Sequence, residues 1–406
     1  MSRTTYDIIV IGGGAAGVFA GIHASARGKK VLLLEKTTKL LSKVKVSGGG
    51  RCNVTHNCEY AAQLIQNYPR GGRSLRKSFE AFGTGDTVRW FESHGVRLKV
   101  EEDGRMFPVS DSSQTIIDCL LEEASKRKLE IRLKTDVIKL LHEEDTFKVQ
   151  LKNGDIINSH KVIVTTGGQN KPESYQWLID LGLKIERPIP SLFTFNVPDS
   201  DLKELKGLSV NKGWVQVPGT KWKQEGPVLI THWGFSAPAV IKLSAWAAID
   251  FFKWNYQFPI LINWTGKDEE TVREEFKIFR EMHPKKVVSS NALFDIPARL
   301  WGALCSKAEI NEEQRYMNLP KKQFNRLVEM LVRCPYQVNG KTTFKEEFVT
   351  CGGISLREVD LKTFESRKIQ GLYFAGEVLD VDGVTGGFNF QHAWTSGYIA
   401  GKNASE

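Results

Sequence analysis

Two glycine-rich segments near the N-terminus have the spacing needed to bring backbone close to a bound group. In residues 12–17, GGGAAG, the glycines Gly12, Gly14 and Gly17 fit the GxGxxG pattern. The first permits a tight turn, the second lets backbone approach a pyrophosphate, and the third lets a helix pack on a strand. Residues 47–56, SGGGRCNVTH, place three more glycines before an arginine, a cysteine and an asparagine. Such a run is kept where backbone turns sharply or lies against a ligand.

The elements around the first segment complete a dinucleotide-binding pattern. Residues 6–11, YDIIVI, predict a buried parallel strand, and AGVFAGIHASARG after the turn predicts a helix. A second strand, KKVLLLEK, ends at Glu35, whose carboxylate can accept hydrogen bonds from a ribose hydroxyl pair. The carboxylate would repel a ribose 2′-phosphate, which argues against NADP at this site. NAD and FAD both remain compatible with this pattern.

Later segments favour FAD over NAD. Residues 160–168, HKVIVTTGG, predict another buried strand that ends in a Thr-Thr-Gly-Gly turn. Residues 371–401 predict a strand, a Gly-Glu turn, a glycine-rich loop and an amphipathic helix. A site assembled from such distant parts of the chain is similar to the FAD domain of two-dinucleotide-fold flavoproteins.

Composition restricts the class of protein. The 406 residues predict two or three domains, and no apolar run is long enough to cross a membrane. The N-terminal segment enters a strand directly, without the pattern of a signal peptide, so we expect a cytoplasmic protein. The six cysteines form no CxxC pair, so neither a metal site nor a dithiol relay is predicted. The formal charge of +9 favours an anionic partner.

Five sequence blocks carry a resemblance to a known family. They are VIGGGAAG, SGGGRCN, GRMFPVS, LITHWGFSAPAV and GLYFAGEVLDVDGVTGGFNFQHAW. Nearly end to end, the sequence resembles the HI0933-like or BaiN-like family of bacterial FAD-dependent oxidoreductases. The family shows Ser-Gly-Pro in the fourth of these blocks, where this chain has Ser236, Ala237 and Pro238.

The resemblance implies an α/β fold with a discontinuous, Rossmann-like FAD-binding domain. That domain would comprise residues 1–190 and 349–406. A β-rich domain would be inserted at 191–265 and 334–348, with a helical subdomain at 266–333. The sequence agrees, because 191–265 contains short apolar and aromatic runs between Gly and Pro, whereas 266–333 has helical periodicity.

The resemblance also implies a set of cofactor contacts. Arg51 would neutralise phosphate or hold the flavin's pyrimidine edge; the alternative is that it is a solvated surface cation. Asn53 would form a hydrogen bond with the flavin ring. Glu377 would bind the ribityl or phosphate region, and the turn that opens the last helix would stabilise negative charge on the flavin. The implied FAD-binding positions are Gly12, Gly14, Ala15, Ala16, Gly17, Glu35, Lys36, Ser47, Gly48, Gly49, Gly50, Arg51, Cys52, Asn53, Val137, Thr166, Gly167, Gly168, Gly376, Glu377, Gly386, Gly387, Phe388 and Asn389.

Flavin chemistry in the family takes two forms. One is reduction of a carbonyl-conjugated C=C bond, in bile-acid intermediates or in uridine of ribosomal RNA, and the other is oxidation of a small amine by oxygen. Reduction needs a proton donor, for which Cys52, Cys351 and His232 are candidates, although each is equally compatible with a structural role. No second GxGxxG follows a strand, so NAD(P)H is expected as a transient electron donor without a dedicated domain. A flavin-bearing redox sensor is the alternative to an enzyme.

Three basic segments bear on an RNA substrate. Residues 68–79 place Arg70, Arg73, Arg76 and Lys77 near an aromatic, and residues 221–223 and 253–258 interleave lysine with aromatics. This mixture favours single-stranded RNA, although solvated basic faces over core aromatics would give the same pattern. We expect the substrate to be a small molecule or RNA, and we expect neither DNA nor a membrane as a partner. The sequence does not indicate an oligomeric state.

Overall fold

The computed structural model describes residues 5–143, 145–169, 171–342 and 349–406. The chain divides into two compact units. The first unit lies within Met1–Ser191 and Lys345–Glu406, and the second lies within Leu192–Phe344.

The regular elements of the described residues are numbered in chain order. The strands are β1 Thr5–Ile11, β2 Val31–Leu34, β3 Thr55–His56, β4 Leu98–Val100, β5 Arg105–Pro108, β6 Glu130–Arg132, β7 Val137–Glu143, β8 Thr146–Leu151, β9 Ile156–Val164, β10 Ile185–Ser191, β11 Thr194–Asn196, β12 Ser209–Gln216, β13 Lys223–Ile230, β14 Gly234–Ser236, β15 Gln257–Asn263, β16 Cys334–Asn339, β17 Lys341–Thr342, β18 Val349–Ile354, β19 Val359–Asp360, β20 Glu365–Ser366 and β21 Leu372–Phe374. The α-helices are α1 Ala15–Ser25, α2 Ser42–Gly50, α3 Ala61–Leu64, α4 Arg76–Ala81, α5 Thr84–Ser93, α6 Ser113–Lys126, α7 Gln176–Ile179, α8 Pro238–Trp246, α9 Ala248–Lys253, α10 Glu269–Met282, α11 Ala298–Lys307, α12 Lys321–Val332 and α13 Phe388–Ala404.

A parallel sheet forms the centre of the first unit. Its strands lie in the order β21-β9-β1-β2-β6, and β19 and β20 extend it in antiparallel fashion beyond β21. Ile9 and Val10 in β1 are fully buried, as are Leu32 and Leu33 in β2, because both faces of the sheet are covered. The strands predicted at 6–11, in KKVLLLEK and in HKVIVTTGG are therefore confirmed, the second as Val31–Leu34 and the third as the end of Ile156–Val164.

Helices α1 and α13 pack closely in this unit because glycines face backbone at their interface. A Cβ at Gly397 would lie 2.8 Å from the carbonyl oxygen of Ala16, and one at Gly401 would lie 2.3 Å from that of Ala20. No side chain fits at that separation. Helix α1 is thus fixed against α13. In the sheet, β21 pairs with β9, which in turn pairs with β1. The prediction that distant parts of the chain build one α/β unit is confirmed.

The second unit contains a seven-stranded antiparallel sheet in the order β16-β15-β12-β13-β14-β11-β17. Its core combines aliphatic and aromatic side chains, and the rings of Phe251 and Phe258 stack with centroids 3.9 Å apart. Strands β11–β15 occur where the sequence predicted a β-rich segment, and helices α10–α12 occur where it predicted helices. The predicted domain boundaries themselves stay predictions, and residues 343–348 of the expected β-rich domain lie outside the described residues. None of the described helices combines the length and apolar character needed to cross a bilayer.

Candidate cofactor and active site

The predicted cofactor residues of the first unit follow the carboxyl ends of parallel strands. The glycine turn 12–17 follows β1, Glu35 follows β2, residues 165–168 follow β9, and Gly376 with Glu377 follows β21. Because parallel strands end at the same edge of a sheet, these segments meet there. This edge is the usual place for a ligand in an open α/β sheet.

The three glycines of the first motif have different surroundings. Gly12 has φ +111°, and a Cβ there would lie 2.5 Å from the carbonyl oxygen of Thr165. A Cβ at Gly17 would lie 1.9 Å from the carbonyl oxygen of Gly12. A Cβ at Gly14, by contrast, would have no neighbouring atom within 4 Å. Gly14 precedes the first residue of α1, so its open side adjoins the free amides of that helix.

Glu35 is fixed by the backbone on both of its carboxylate oxygens. Its Oε2 accepts a hydrogen bond from the amide of Gly13 at 2.7 Å, and its Oε1 accepts one from Thr37 at 2.8 Å. A carboxylate has about four acceptor positions, so capacity for hydroxyl donors remains. The amide of Thr135 donates to the carbonyl oxygen of Glu35 at 2.9 Å, which brings Val137, at the start of β7, toward this end. Lys36 is exposed.

The SGGG run forms a turned end of α2 and not an extended segment. Ser47 is extended, and Gly48, Gly49 and Gly50 have φ of +58°, +68° and +85°. This conformation favours glycine because a Cβ would strain it. Cβ atoms at Gly49 and Gly50 would meet nothing within 4 Å, so this backbone also adjoins open space. The glycine run predicted a sharp turn or a close approach to a ligand. It did not predict helix α2, at whose end the run lies.

Arg51 and Asn53 bond to the chain itself. The Nη1 of Arg51 lies 2.6 Å from Oε1 of Glu101, and its guanidinium lies 4.0 Å from the ring centre of Phe107. Asn53 is buried, and in its better amide orientation its nitrogen donates to backbone carbonyls while its oxygen accepts from the amide of Gly387 at 2.9 Å. Both side chains hold the glycine-rich loop in place, and their direct contact with a cofactor stays a prediction.

Glu377 joins three parts of the first unit. Its Oε1 accepts from the amide of Thr350 at 2.9 Å, and its Oε2 lies 2.6 Å from Nζ of Lys43. A Cβ at Gly168 would lie 2.6 Å from Oε1 of Glu377, so the structure brings these two predicted residues together. Thr166 and Gly167 are half-buried, and a Cβ at Gly167 would meet nothing within 4 Å. The buried Oγ1 of Thr350 has no hydrogen-bond partner.

The turn before α13 is held by side chains from elsewhere in the first unit. Gly386 and Gly387 have φ of +133° and +91°. Asn389 makes two hydrogen bonds with the backbone of Gly383, at 2.8 and 2.9 Å, which close the loop. The ring of Phe388 stacks on His56 at 4.7 Å between centroids, and His56 Nδ1 lies 3.0 Å from the carbonyl oxygen of Gly386. Sequence reasoning did not identify His56, since no local signal links it to this turn.

Arg70 lies in a buried ion pair and does not belong to a solvent-facing basic patch. Its guanidinium makes two hydrogen bonds with the carboxylate of Asp382, which also accepts from Oγ of Ser191 at 2.8 Å. The side chain of Arg70 is 13% exposed and that of Asp382 is fully buried. Burial favours loss of the proton, but the facing carboxylate outweighs it and raises the pKa of Arg70. The grouping of Arg70 with the exposed cations of segment 68–79 is therefore wrong.

The three candidate proton donors have different environments. Burial raises the pKa of the Cys52 thiol to about 12, although Ser47 opposes this by hydrogen bonding. Burial likewise raises the pKa of Cys351 to about 12, with Arg70 opposing it. Both thiols are therefore neutral. His232 is exposed in the second unit and lies edge-on to Trp233 at 4.1 Å between ring centroids.

Comparison with known proteins decides the family. Residues 6–403 match the family of the HI0933-like protein Rossmann domain. The chain belongs to this family. It is 32% identical over 412 residues to the ribosomal RNA dihydrouridine synthase of Escherichia coli K12, covering 98% of each chain. It is 26% identical over 408 residues to the 3-dehydro-bile acid delta(4,6)-reductase of Clostridium scindens, again covering 98% of each.

Solved structures show the same fold at low sequence identity. A flavocytochrome c3 fumarate reductase in its open conformation matches with a TM-score of 0.52 at 19% identity, over 100% of this chain and 78% of that one. The 3-ketosteroid delta1-dehydrogenase of Sterolibacterium denitrificans matches with a TM-score of 0.53 at 13% identity, over 99% of both. The predictions of an HI0933-like family member, of an FAD-binding α/β fold and of a flavin oxidoreductase are confirmed.

The residues at the sheet edge fit an FAD molecule. Backbone at Gly14, Gly49, Gly50 and Gly167 adjoins space that any larger side chain would enter. The buried hydroxyl of Thr350 has no hydrogen-bond partner among the described residues. Open backbone next to a helix N-terminus suits a diphosphate group.

Proposed function

We propose that this protein uses FAD and NAD(P)H to reduce the carbonyl-conjugated C=C bond of uridine in ribosomal RNA, giving dihydrouridine. The observation that carries the proposal is the full-length similarity to a ribosomal RNA dihydrouridine synthase, at 32% identity. A second full-length relative is named a delta(4,6)-reductase. Both names describe saturation of a C=C bond, which supports this type of reaction.

The cofactor would be held along the sheet edge. The amides at the start of α1, next to Gly14, would bind the diphosphate, and Glu35 would accept hydrogen bonds from the ribose hydroxyls. Backbone at Gly49 and Gly50 would lie against the flavin. FAD, when bound, supplies the hydride chemistry. The amides at the N-terminus of α13, after the turn at Gly386 and Gly387, would stabilise negative charge at the pyrimidine end of the ring.

Cys351 is the proposed proton donor, with Cys52 and His232 as alternatives. A thiol with a pKa of about 12 carries its proton at neutral pH and can donate it from Sγ to a carbon that gains negative charge. Of the two buried thiols, Cys351 has the cation of Arg70 nearby, which would favour the thiolate that remains, although the carboxylates of Asp382 and Asp380 oppose it. At Cys52, a hydrogen bond with Ser47 alone opposes the rise in the thiol pKa.

Single substitutions test this assignment. Cys351→Ala should lower the rate of dihydrouridine formation by about 10²–10⁴-fold while leaving the reduction of bound flavin by NAD(P)H unchanged. Cys305→Ala is the matched control, because it removes an equally buried thiol that lies in the second unit, and Cys52→Ala tests the alternative donor. Equal product formation by Cys351→Ala and the parent protein would exclude Cys351 as the donor.

The function itself is tested in cells and in vitro. Dihydrouridine is mapped in ribosomal RNA from strains with and without the gene, and the modified position should revert to uridine when the gene is removed. The purified protein, reduced anaerobically with NAD(P)H, should be reoxidised by ribosomal RNA that lacks the modification. Unchanged dihydrouridine content together with no RNA-dependent reoxidation would overturn the proposal.

A small-molecule reductase is the second candidate. The similarity to a bile-acid reductase over 98% of both chains favours it. Such an enzyme would be reoxidised by a small conjugated ketone, with no strong dependence on salt. An enzyme acting on RNA would bind more weakly as salt rises, because phosphate contacts release counterions.

A further inference from the structure

The second unit carries lysine and tryptophan side chains on both sides of one β-hairpin. The hairpin consists of β12 and β13, and its turn closes with a hydrogen bond from the amide of Val217 to the carbonyl oxygen of Trp222 at 2.9 Å. On one side, Nζ of Lys223 lies 3.9 Å from the ring centre of Trp214. On the other side, Lys221 lies 4.7 Å from the ring centre of Trp222.

A second lysine–tryptophan segment lies beside this hairpin. The indole Nε1 of Trp222 donates to Oδ2 of Asp250 in α9 at 2.9 Å. Asp250 also lies 3.8 Å from Nζ of Lys253, and Trp254 follows at the end of α9 with 37% of its surface exposed. The two basic aromatic segments are therefore neighbours in the fold, although about thirty positions separate them in the sequence.

We infer that this hairpin-tip surface, which comprises Trp214 and Lys223 on one side of the hairpin and Lys221, Lys253 and Trp254 on the other, binds a single-stranded part of the RNA substrate. The inference rests on the proposed function and adds where the RNA is held. Lysine ammonium groups contact phosphates, and exposed tryptophan rings stack on unpaired bases regardless of their sequence.

A cavity beside Trp214 strengthens the inference. It has a volume of about 220 Å³, and Trp214, Gln216 and Arg333 line it together with apolar and acidic residues. Pockets for drug-sized ligands measure about 300–1,000 Å³, so this one suits a single ring system. Its aromatic wall offers stacking and Gln216 offers hydrogen bonds to a base, whereas the guanidinium of Arg333 already pairs with Glu269 at 3.0 Å.

Carboxylates in the same region oppose phosphate binding: Asp268 and Glu269 line the cavity, and Asp250 and Glu225 lie beside the lysines of the surface. Asp250 is engaged by Trp222 and Lys253. Glu225 is 72% exposed and pairs with Lys223 at 3.3 Å. Removing the Glu225 charge would leave Lys223 free for phosphate, so Glu225→Gln should increase RNA affinity. A surface that does not bind RNA would show no such gain.

The test measures binding of a fluorescein-labelled single-stranded oligouridylate at several salt concentrations. In the combined variant Lys221→Gln, Lys223→Gln, Lys253→Gln, the slope of log affinity against log salt should fall by about 2, since each contact contributes about 0.7. The control variant Lys277→Gln, Lys321→Gln, Lys322→Gln removes the same charge from exposed positions of α10 and α12. Lys321 lies about 18 Å along α12 from the cavity. The control should leave the slope within error of the parent.

Stacking is tested separately. Trp254→Ala should weaken oligouridylate binding at least about fivefold, whereas Trp254→Phe should retain most of it. Binding of heparin, which has no bases, should be the same for both variants, and their melting temperatures show whether the fold is kept. If the parent forms dihydrouridine while the lysine variants bind RNA equally, the surface assignment is wrong and the function stands. If the parent neither binds RNA nor forms dihydrouridine, both proposals fail.

Discussion

The ammonium nitrogen of Lys43 lies 2.6 Å from Oε2 of Glu377 and so joins α2 to the turn after β21. The carboxylate of Glu377 is 18% exposed, and its other oxygen is already bonded to the amide of Thr350. A negative charge at this edge would repel a cofactor diphosphate. Lys43 compensates that charge from the neighbouring helix.

Replacement of Lys43 should weaken FAD binding without unfolding the protein. Because Lys43 is half exposed, its ion pair is worth about 0.2–1 kcal/mol, so we expect Lys43→Gln to raise the Kd for FAD by a few-fold. Lys43→Arg keeps the charge and should bind FAD as the parent does. Titration of apoprotein with FAD, followed by quenching of flavin fluorescence, gives both constants. An unchanged Kd in Lys43→Gln would contradict this role.

Two glycines of the first motif should respond to substitution in opposite ways. A Cβ at Gly14 would have no atom of the described residues within 4 Å, so Gly14→Val should leave the melting temperature of the apoprotein unchanged while abolishing FAD binding. A Cβ at Gly17 would lie 1.9 Å from a carbonyl oxygen, so Gly17→Ala should destabilise the apoprotein by about 1–3 kcal/mol. The measurements are thermal unfolding without cofactor and the absorbance of bound flavin. A destabilised Gly14→Val apoprotein would show that the space beside Gly14 is filled by the chain.

Buried His392 should make stability depend on pH below neutrality. Burial lowers the pKa of His392 to about 4 in the folded protein, from an ordinary value near 6.5. As pH falls between these values, the unfolded chain binds the proton first, so stability is complete above about 6.5 and is lost toward 4. Between these pH values His392 adds about 1.4 kcal/mol per pH unit to the slope of the unfolding free energy against pH. His392→Gln should remove this contribution, which urea unfolding at several pH values measures. Exposed His160, changed to Gln, is the control that should keep the parent slope.

The buried pair of Arg70 and Asp382 should be more sensitive to loss of one partner than of both. Arg70→Met leaves the fully buried Asp382 without its counter-charge and should cost about 3–5 kcal/mol in free energy of unfolding. Adding Asp382→Asn removes the remaining charge and should recover a large part of this loss. Urea unfolding of the apoproteins gives the comparison. Equal stability of the single and double variants would show that packing, not charge, determines the effect.

Ala237 occupies a conformation that favours glycine. Its φ and ψ are +79° and 173°, immediately before α8, at the position where the family shows glycine. Such a conformation costs a non-glycine residue about 1–3 kcal/mol, so Ala237→Gly should stabilise the protein by about 1 kcal/mol after the entropy of glycine is included. Ala303→Gly, within α11, should instead destabilise it by about 1 kcal/mol. A lower melting temperature in Ala237→Gly would contradict this interpretation.

The parts of the site that were predictable from sequence depend on short-range geometry. The roles of Gly12, Gly14 and Gly17 follow from a strand, a turn and a helix within a few residues, and the structure gives each glycine the expected surroundings. The family blocks likewise located the turns at Gly168 and Glu377, which the structure places side by side. Their direct contacts with the cofactor stay predictions.

The unpredicted parts depend on partners that are distant in sequence. Arg70 and Asp382 are separated by 312 positions, so composition alone placed Arg70 with the surface cations of its segment. The partners of Arg51 are likewise distant, because Glu101, 50 positions away, and Phe107 contact its guanidinium, and its expected contact with the cofactor stays a prediction. The helix before Gly48 was missed because SKVKVSGGG has too few apolar positions to show helical periodicity.

The pairing of β21 with β9 also bears on when the protein can mature during synthesis. Tyr373 of β21 lies opposite Ile163 of β9, and the whole second unit is translated between them. Domains tend to fold as units while the ribosome is still at work. The second unit can therefore fold on the nascent chain, whereas the sheet edge that receives the flavin has to wait for β21 and α13 to leave the exit tunnel, so that cofactor loading follows the synthesis of the second unit.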